Sequence, residues 1–468
     1  MAYLEFLGAC ETVTGSKFIV SNSKKKILLD CGMVQGHKDD AYLENLEFSK
    51  NTPDVDYCIL SHSHIDHSGM LPSLVKNGYT GPIYSTPATR DLCSHMLRDS
   101  VAVFTKELPV INRMLKKKKK HIQTSLLYTT DDVANCMEHF KTIPYDTQEE
   151  LSEGIKVSLH DSCHILGSSS IRMDITEDNV NHRVWYTSDI GDDDSKLSHK
   201  LKTPQDIDYL IIESTYGNKK KREDEDIQQL MMDYIIDAYK RGGKLIIPAF
   251  SVARMQTIIV IIHKLHLMGL IPDIPVYVDS PLGVKVTKLY TKYEDLLNTD
   301  NLRYFTDTNI DPFNGEMIEY ISSMDESTAI AQQTEPCIVI SASGMCEGGH
   351  IREHLKYTVG DKNSTVLFVG YNAEGTLGRR LQESNGQATI DGKQYRVRCK
   401  IETIKGLSAH ADIESLVNYV RDVVSTNDIK NIFLVHGEED SIHNMKHRLN
   451  SLGITNVIIP KINTKYQL

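Results

Sequence analysis

The stretch Ser61-His62-Ser63-His64-Ile65-Asp66-His67-Ser68-Gly69 places three imidazoles and a carboxylate within six consecutive residues. It follows Asp56-Tyr57-Cys58-Ile59-Leu60, an apolar run of the kind that forms a short buried strand, so the histidines begin where that strand gives way to a loop. A rigid strand end can hold ligands in fixed directions. His62 and His64, two residues apart, converge on one ion, whereas the adjacent Asp66 and His67 point differently and suit a second. Borderline-soft divalent metals such as zinc take imidazole nitrogen at about 2.0–2.1 Å and carboxylate oxygen at about 2.0–2.2 Å. A polar surface loop merely rich in histidine is the bland alternative, and the density of the pattern favours the metal.

At 468 residues the chain is too long for one ordinary core, and two domains are expected. Its 40% hydrophobic and 25% charged residues are those of a soluble globular protein. No uninterrupted apolar run approaches the roughly 18 residues of a membrane span. The best candidate, near Ile258–Ile262, is stopped by His263-Lys264. Met1-Ala2-Tyr3-Leu4-Glu5 lacks the basic and apolar regions of a signal peptide, so a cytoplasmic protein without membrane contact is expected. Nine scattered cysteines, with no Cys-x-x-Cys pair, read as reduced core residues rather than a disulfide frame. A formal net charge of -11 argues against a nonspecific nucleic-acid binder, though bound divalent ions would offset part of it.

Along the chain, Tyr3–Phe6, Lys17–Val20 and Ile27–Leu29 alternate with turn residues and predict antiparallel strands. Helices are expected over Gly69–Asn77 and Pro87–Ser100, and the lysine run Lys116–Lys120 reads as a solvated loop or helix end. His164 lies between predicted strands at Ile155–Leu159 and Ser170–Ile175. Val184–Tyr186 runs into Ser188-Asp189-Ile190-Gly191, where a carboxylate at a strand end can give one oxygen to each of two ions. After Tyr209–Ile212 and Glu213, the charged run 218–226 marks a crossing into a region where strands alternate with helices from Lys244 to Glu383, the order of a parallel sheet covered by helices. The signal between Leu297 and Pro336 is too weak to assign.

His-x-His-x-Asp-His after a buried strand resembles the signature of the metallo-β-lactamase-fold hydrolases. Four later stretches narrow the resemblance to the β-CASP nucleases, which process RNA: Pro248–Arg254, Val278–Leu282, Ser341–Met345 and Gly370–Arg379. Gly406-Leu407-Ser408-Ala409-His410-Ala411-Asp412 and Ile432-Phe433-Leu434-Val435-His436-Gly437-Glu438 match two further motifs of that family. The resemblance covers nearly the whole chain. It implies an α/β fold: an αββα metallo-β-lactamase sandwich over residues 1–214 and 405–468, interrupted by an α/β β-CASP domain with a parallel sheet over 215–404.

Carried over residue by residue, the resemblance implies two zinc ions per chain. His62, His64, His164 and Asp189 hold one; Asp66, His67, Asp189 and His436 hold the other. Asp30, at a predicted strand end, orients a metal-bound histidine from behind. Asp66 also belongs to the catalytic set, with His410 as the general acid for the leaving oxygen and Glu213 orienting it. Single-stranded RNA is the implied partner, in the cleft between the domains; a homodimer is the one further association allowed for. Ser341, Ser343 and Gly344, together with Arg254 and Arg379, are the candidate phosphate contacts. The implied reaction is hydrolysis of RNA phosphodiesters. Its rivals are hydrolysis of an ester, thioester or small phosphodiester on the same fold, and a non-catalytic RNA-binding scaffold.

Overall fold

The computed structural model describes residues 1–36, 38–120, 125–191, 197, 201–220, 226–370, 372–407 and 409–468. Ser408 and Tyr371 of the quoted motifs, and 221–225 of the charged crossing, lie outside the described residues. The chain divides into two compact units, one of Met1–Ser195, His199–Lys220 and His410–Leu468, the other of Lys196–Ser198 and Lys221–Ala409.

The first unit contains two seven-stranded sheets. One runs in the order Lys465–Gln467, Tyr3–Phe6, Phe18–Ser21, Lys26–Leu29, Tyr57–Ile59, Ile83–Ser85, Phe140–Thr142. It is antiparallel through Lys26–Leu29, as the first residues predict, and parallel beyond. The other runs Val457–Ile458, Asn431–Val435, Tyr209–Glu213, Val180–Tyr186, Ser169–Glu177, Ile155–Asp161, Gln148–Ser152. Their inner faces share one core, in which Phe6, Phe18, Ile27 and Leu29 meet Val157, Met173, Ile211 and Phe433. The outer faces are also covered. Ile19, Leu28 and Cys58 pack with Leu71, Leu97 and Leu115 from helices, and Leu210 and Leu434 pack with Leu416, Val420 and Met445. Strands such as Phe18–Ser21 are therefore buried at every position, because a sheet sandwiched on both faces removes the need for alternation. This is the αββα arrangement.

The helix expected to stop at Ser100 runs instead over Pro87–Lys117, with Pro109 inside it. A helix-interior proline costs about 3 kcal/mol or more. Here the apolar stripe Leu92, Leu97, Val101, Ile111 and Leu115 continues past it into the core, and that burial outweighs the broken backbone bond. Lys116 and Lys117 form the helix's last turn, and Lys118 reaches Asp39 at 2.6 Å, so the lysine run is a helix end held to the helix Lys38–Lys50. All nine cysteines are buried and free. Among the described residues, no helix is long and apolar enough to cross a membrane.

The second unit holds a six-stranded, wholly parallel sheet in the order Ile318–Ile321, Val276–Asp279, Ile338–Ser341, Leu245–Pro248, Thr365–Phe368, Lys400–Thr403. The helices Arg254–Leu267, Pro281–Lys292, Met324–Gln332 and Ile351–Thr358 form the crossovers. The unassigned interval contains Thr299–Thr308, Ile318–Ile321 and Met324–Gln332. Its strand has only its first and last residues buried, which explains the weak signal of an edge position.

Candidate metal centre

The histidine loop leaves Tyr57–Ile59 and turns at once into a single helical turn, Ile65–Ser68. The backbone of the neighbouring strand end holds it: Ser16 N donates to Asp66 O at 2.9 Å, Cys31 N to His67 O at 2.8 Å and Met33 N to Ile65 O at 2.9 Å. That contact is so close that a Cβ on Gly32 would lie 1.6 Å from the Asp66 carbonyl oxygen, which is why glycine follows Asp30-Cys31. Lys17, almost fully buried, donates to Gly32 O at 2.8 Å. Burial pushes its amine down to about 8.

Two groups of donors converge. His62, His64, His164 and Asp189 form one and Asp66, His67 and His436 the other, with ligand atoms in each group within 4.8 Å of one another. His64 Nδ1 faces His62 Nε2 and His164 Nε2, each at 3.2 Å. His67 Nε2 faces His436 Nε2 at 3.3 Å. Asp189 stands between the groups, with Oδ2 3.6 Å from both His62 Nε2 and His164 Nε2, and Oδ1 3.3 Å from His67 Nε2 and from His436 Nδ1. Its Oδ1 is buried without a hydrogen-bond partner. Nitrogen lone pairs facing one another around an orphaned carboxylate oxygen are what a bound cation resolves. The donor set, imidazole plus carboxylate, suits zinc.

The electrostatics agree. Burial, with the neighbouring His67, drives the His62 imidazole well below its ordinary range, and burial also lowers His64, leaving both rings neutral and able to donate a lone pair. Burial also disfavours charge on His67, but the carboxylates of Asp189 and Asp30 raise it well above the ordinary value, a sign that this pocket calls for positive charge. Burial works against the Asp66 carboxylate too; the His436 hydrogen bond and the charges around it hold it at about 2.

Asp30 is fully buried and accepts four hydrogen bonds, from Ser61 N, Ser61 Oγ, His67 Nδ1 and Tyr186 Oη, each at 2.8 Å. The His67 bond fixes which ring nitrogen faces the centre. Thr215 Oγ1 lies 3.0 Å from His436 Nδ1, and Ser188 Oγ 3.2 Å from His62 Nδ1. Sequence reasoning singled out neither, nor Ser61 and Tyr186 as partners of Asp30; the only signal was that Ser61 and Ser188 lie inside quoted motifs and Tyr186 and Thr215 close to them.

His410 stands beside these groups. Its Nδ1 lies 3.1 Å and 3.2 Å from the two Glu213 oxygens and 4.0 Å from Asp189 Oδ2. Glu213 is buried and also accepts from Ile190 N at 2.7 Å. Burial alone would lower the His410 imidazole, but Glu213 outweighs it and raises it to about 10, so the ring holds a proton at neutral pH.

The candidate phosphate contacts are in the second unit. Ser341 is fully buried and its hydroxyl donates to Asp279 O at 2.8 Å, so it is not a group that a ligand can reach. Ser343 Oγ accepts from Glu347 N at 3.1 Å and Gly348 N at 3.3 Å, closing its own loop, and Gly344 lies against the Phe250 ring. Arg379 pairs with Glu383 at 2.6 Å, and Arg254 opens the helix Arg254–Leu267.

Three family models match the chain: a metallo-beta-lactamase superfamily domain over residues 19–192, a Beta-Casp domain over 255–381 and a Zn-dependent metallo-hydrolase RNA specificity domain over 394–460. An RNase J-like protein of Methanocaldococcus jannaschii is 32% identical over 441 residues, covering 94% of this chain and 93% of the relative. The transcription termination factor FttA of the same organism is 31% identical over 447 residues, 93% of this chain and 67% of the relative; that of Pyrococcus abyssi is 30% identical over 451 residues, 92% and 66%. The chain thus spans about two thirds of the length of those termination factors. A crystal structure of a protein of unknown function from Enterococcus faecalis V583 shares the fold, with a TM-score of 0.53 at 10% identity and full coverage of both chains. The chain belongs to the β-CASP family of metallo-β-lactamase-fold nucleases. It is a metal-dependent hydrolase of that family.

Proposed function

We propose that this hydrolase is a ribonuclease that cleaves single-stranded RNA, with two zinc ions per chain and His410 as general acid. The observation that carries the reading is the His410–Glu213 pair at 3.1–3.2 Å, an imidazole held by its own carboxylate beside the two ligand groups and belonging to neither, although with Asp189 the pair also lies close enough to hold an ion. His62, His64, His164 and Asp189 would hold one zinc, and Asp66, His67, Asp189 and His436 the other. Zinc there would supply electrophilic stabilisation of phosphoryl oxygens and a more acidic attacking water.

The chain's own residues do the rest. Asp30 keeps His67 in one tautomer. Glu213 holds Nδ1 of His410, leaving Nε2 to give its proton to the departing ribose oxygen. RNA as substrate is supported by the RNA specificity model over 394–460 and by relatives named as an RNase J-like protein and as transcription termination factors. Domain limits of 1–214, 215–404 and 405–468 and a cytoplasmic location belong to the same reading.

Incubating the purified protein with 5′- and 3′-labelled RNA, with and without chelator, tests it. Products bearing 5′-phosphates, lost on chelation and restored by zinc, are expected, with close to two zinc ions per chain by elemental analysis. Cleavage of a nitrophenyl ester or thioester with RNA left intact would shift the assignment to another hydrolase of this fold, and RNA binding without turnover would make the protein a scaffold.

A further inference from the structure

In the second unit's sheet, the chain leaves Leu245–Pro248 through the helix Arg254–Leu267 toward Val276–Asp279 on one side. It leaves the adjacent strand Ile338–Ser341 through Ile351–Thr358 toward Thr365–Phe368 on the other. The two connections run in opposite directions along the sheet, each passing the other's strand, so as right-handed crossovers they cover opposite faces, and in open parallel sheets ligands bind outside the carboxyl ends of the strands at such a point. Two side chains there have no structural use that exhausts them.

The first is Phe250, just past the end of Leu245–Pro248. It is 42% exposed, and its ring lies against Gly344, whose missing side chain leaves room for it. An exposed aromatic face on a glycine bed is the kind of platform on which a nucleobase stacks. The second is His350. Its Nδ1 lies 2.6 Å from Asp279 Oδ1, so the proton sits on Nδ1 and the ring is held in one orientation. Its Nε2 makes no hydrogen bond among the described residues, and the side chain keeps 11% of its surface open. Backbone bonds close the loop that carries Gly344 and His350, Ile351 N donating to Ala342 O at 3.1 Å and Ser343 N to Gly348 O at 3.3 Å, and Ala249 N donates to Ser341 O at 2.9 Å, which brings the Phe250 segment alongside it.

We propose that this point of the sheet is a single-nucleotide site that distinguishes RNA from DNA, with Phe250 stacking on a base and His350 Nε2 meeting the ribose 2′-hydroxyl. The hydroxyl is the fitting partner because it both donates and accepts, so the contact forms whether Nε2 carries a lone pair or a proton, whereas a phosphate oxygen requires the proton. A deoxyribose leaves Nε2 unanswered. The inference rests on the ribonuclease reading and adds to it which residues choose the sugar.

The test compares kcat/KM on an RNA oligonucleotide, the matching single-stranded DNA, and a set of RNAs each carrying one 2′-deoxy position. In the natural protein one 2′-deoxy position is expected to lower the rate about five- to tenfold, the worth of one hydrogen bond. His350→Phe should lower the RNA-to-DNA ratio by a similar factor and abolish the sensitivity to that position. Phe250→Ala should lower kcat/KM on RNA and DNA alike, by about tenfold, for loss of a stacked base. Zinc content and Tm of each variant report folding, and the 2′-deoxy series on the unaltered protein stands even if a variant is unstable. The inference is overturned if no single 2′-deoxy position matters, or if His350→Phe depresses RNA and DNA equally. RNA left uncut and unbound by the natural protein would overturn the proposed activity itself, and this inference with it.

Discussion

In the metal centre, Asp189 sits among six histidines with Oδ1 lacking any hydrogen bond. In the second unit, Asp279 sits between His350 and His354 with both oxygens answered: Oδ1 by His350 Nδ1 at 2.6 Å, Oδ2 by His354 Nε2 and Ser327 Oγ, each at 2.5 Å. The ingredients are alike, a buried aspartate at a strand's carboxyl end and imidazoles around it. The proton counts differ. Around Asp279 each carboxylate oxygen meets a donor, so the carboxylate is satisfied within the protein, although His354 Nδ1 is buried without a hydrogen-bond partner. Around Asp189, ring nitrogens face one another at 3.2–3.3 Å and at most one of each pair can carry a proton. A histidine–carboxylate cluster is thus a cation site when ring nitrogens face one another around an unanswered carboxylate oxygen, and a structural clasp when each carboxylate oxygen meets a donor.

Backbone geometry separates the two as well. Asp30, Cys163, Ser188 and His436, all within or next to the metal centre, have positive φ values of 57°, 61°, 54° and 51°. Non-glycine residues are uncommon there, and conformations of this sort cluster where a site is held by its surroundings. Asp279 and its partners have none.

The sharpest break of this comparison concerns His410. It borders the cation-demanding centre, yet it has its own counter-charge in Glu213. His410→Ala should keep the metal content of the natural protein and lower kcat on RNA by roughly 10²–10⁴, the worth of a positioned acid. Glu213→Gln combined with it should be little worse than the worse single variant, because the two act as one unit. The loss should shrink on a nitrophenyl phosphodiester, whose leaving group needs no proton. Zinc loss in the alanine variant, or equal damage on both substrates, would make His410 a ligand or a structural residue.

A somewhat smaller effect is expected at Asp279. Burial disfavours its charge, but the bonds from His350, His354 and Ser327 outweigh that and hold the carboxyl at about 2. The unfolded value is about 3.9, so the carboxylate's contribution is complete above about pH 4 and vanishes as pH falls through about 2. Asp279→Asn should cost on the order of 2 kcal/mol at neutral pH, a deficit that closes between about pH 4 and pH 2 in urea titrations. A deficit independent of pH would mean that packing, not the charge, is what the clasp supplies.

Asp30→Asn asks the same question of the metal centre from behind. With its four hydrogen bonds it aims His67, and its loss should weaken zinc binding by about 10- to 100-fold in competition with a chelator. Unchanged zinc affinity would show that the loop positions His67 unaided. As a solvent-exposed control, Lys118→Ala, which removes a half-exposed partner of Asp39, should change stability by at most about 1 kcal/mol. A larger loss would show that burial of Asp39 alone makes that pair comparable to the interior clusters.

Local sequence determined where the centre's donors would be. Each lies at or just past a short apolar run, and a run of that length with polar residues after it can be read without knowing what packs on it. The same holds for the parallel sheet, whose strands and helices alternate with distinct periods. Only the tertiary structure decided what depends on partners far away in the chain. Tyr186 meets Asp30 across 156 positions and Thr215 meets His436 across 221. The helix Pro87–Lys117 carries through Pro109 because the core it packs on is assembled from other segments. Ser341, read as a phosphate contact, is sealed under Asp279. A motif specifies residue types and spacing. Whether a hydroxyl faces solvent or a carbonyl, and whether an imidazole meets a proton or another lone pair, is set by which strands lie side by side, and that follows from burial summed over the whole chain.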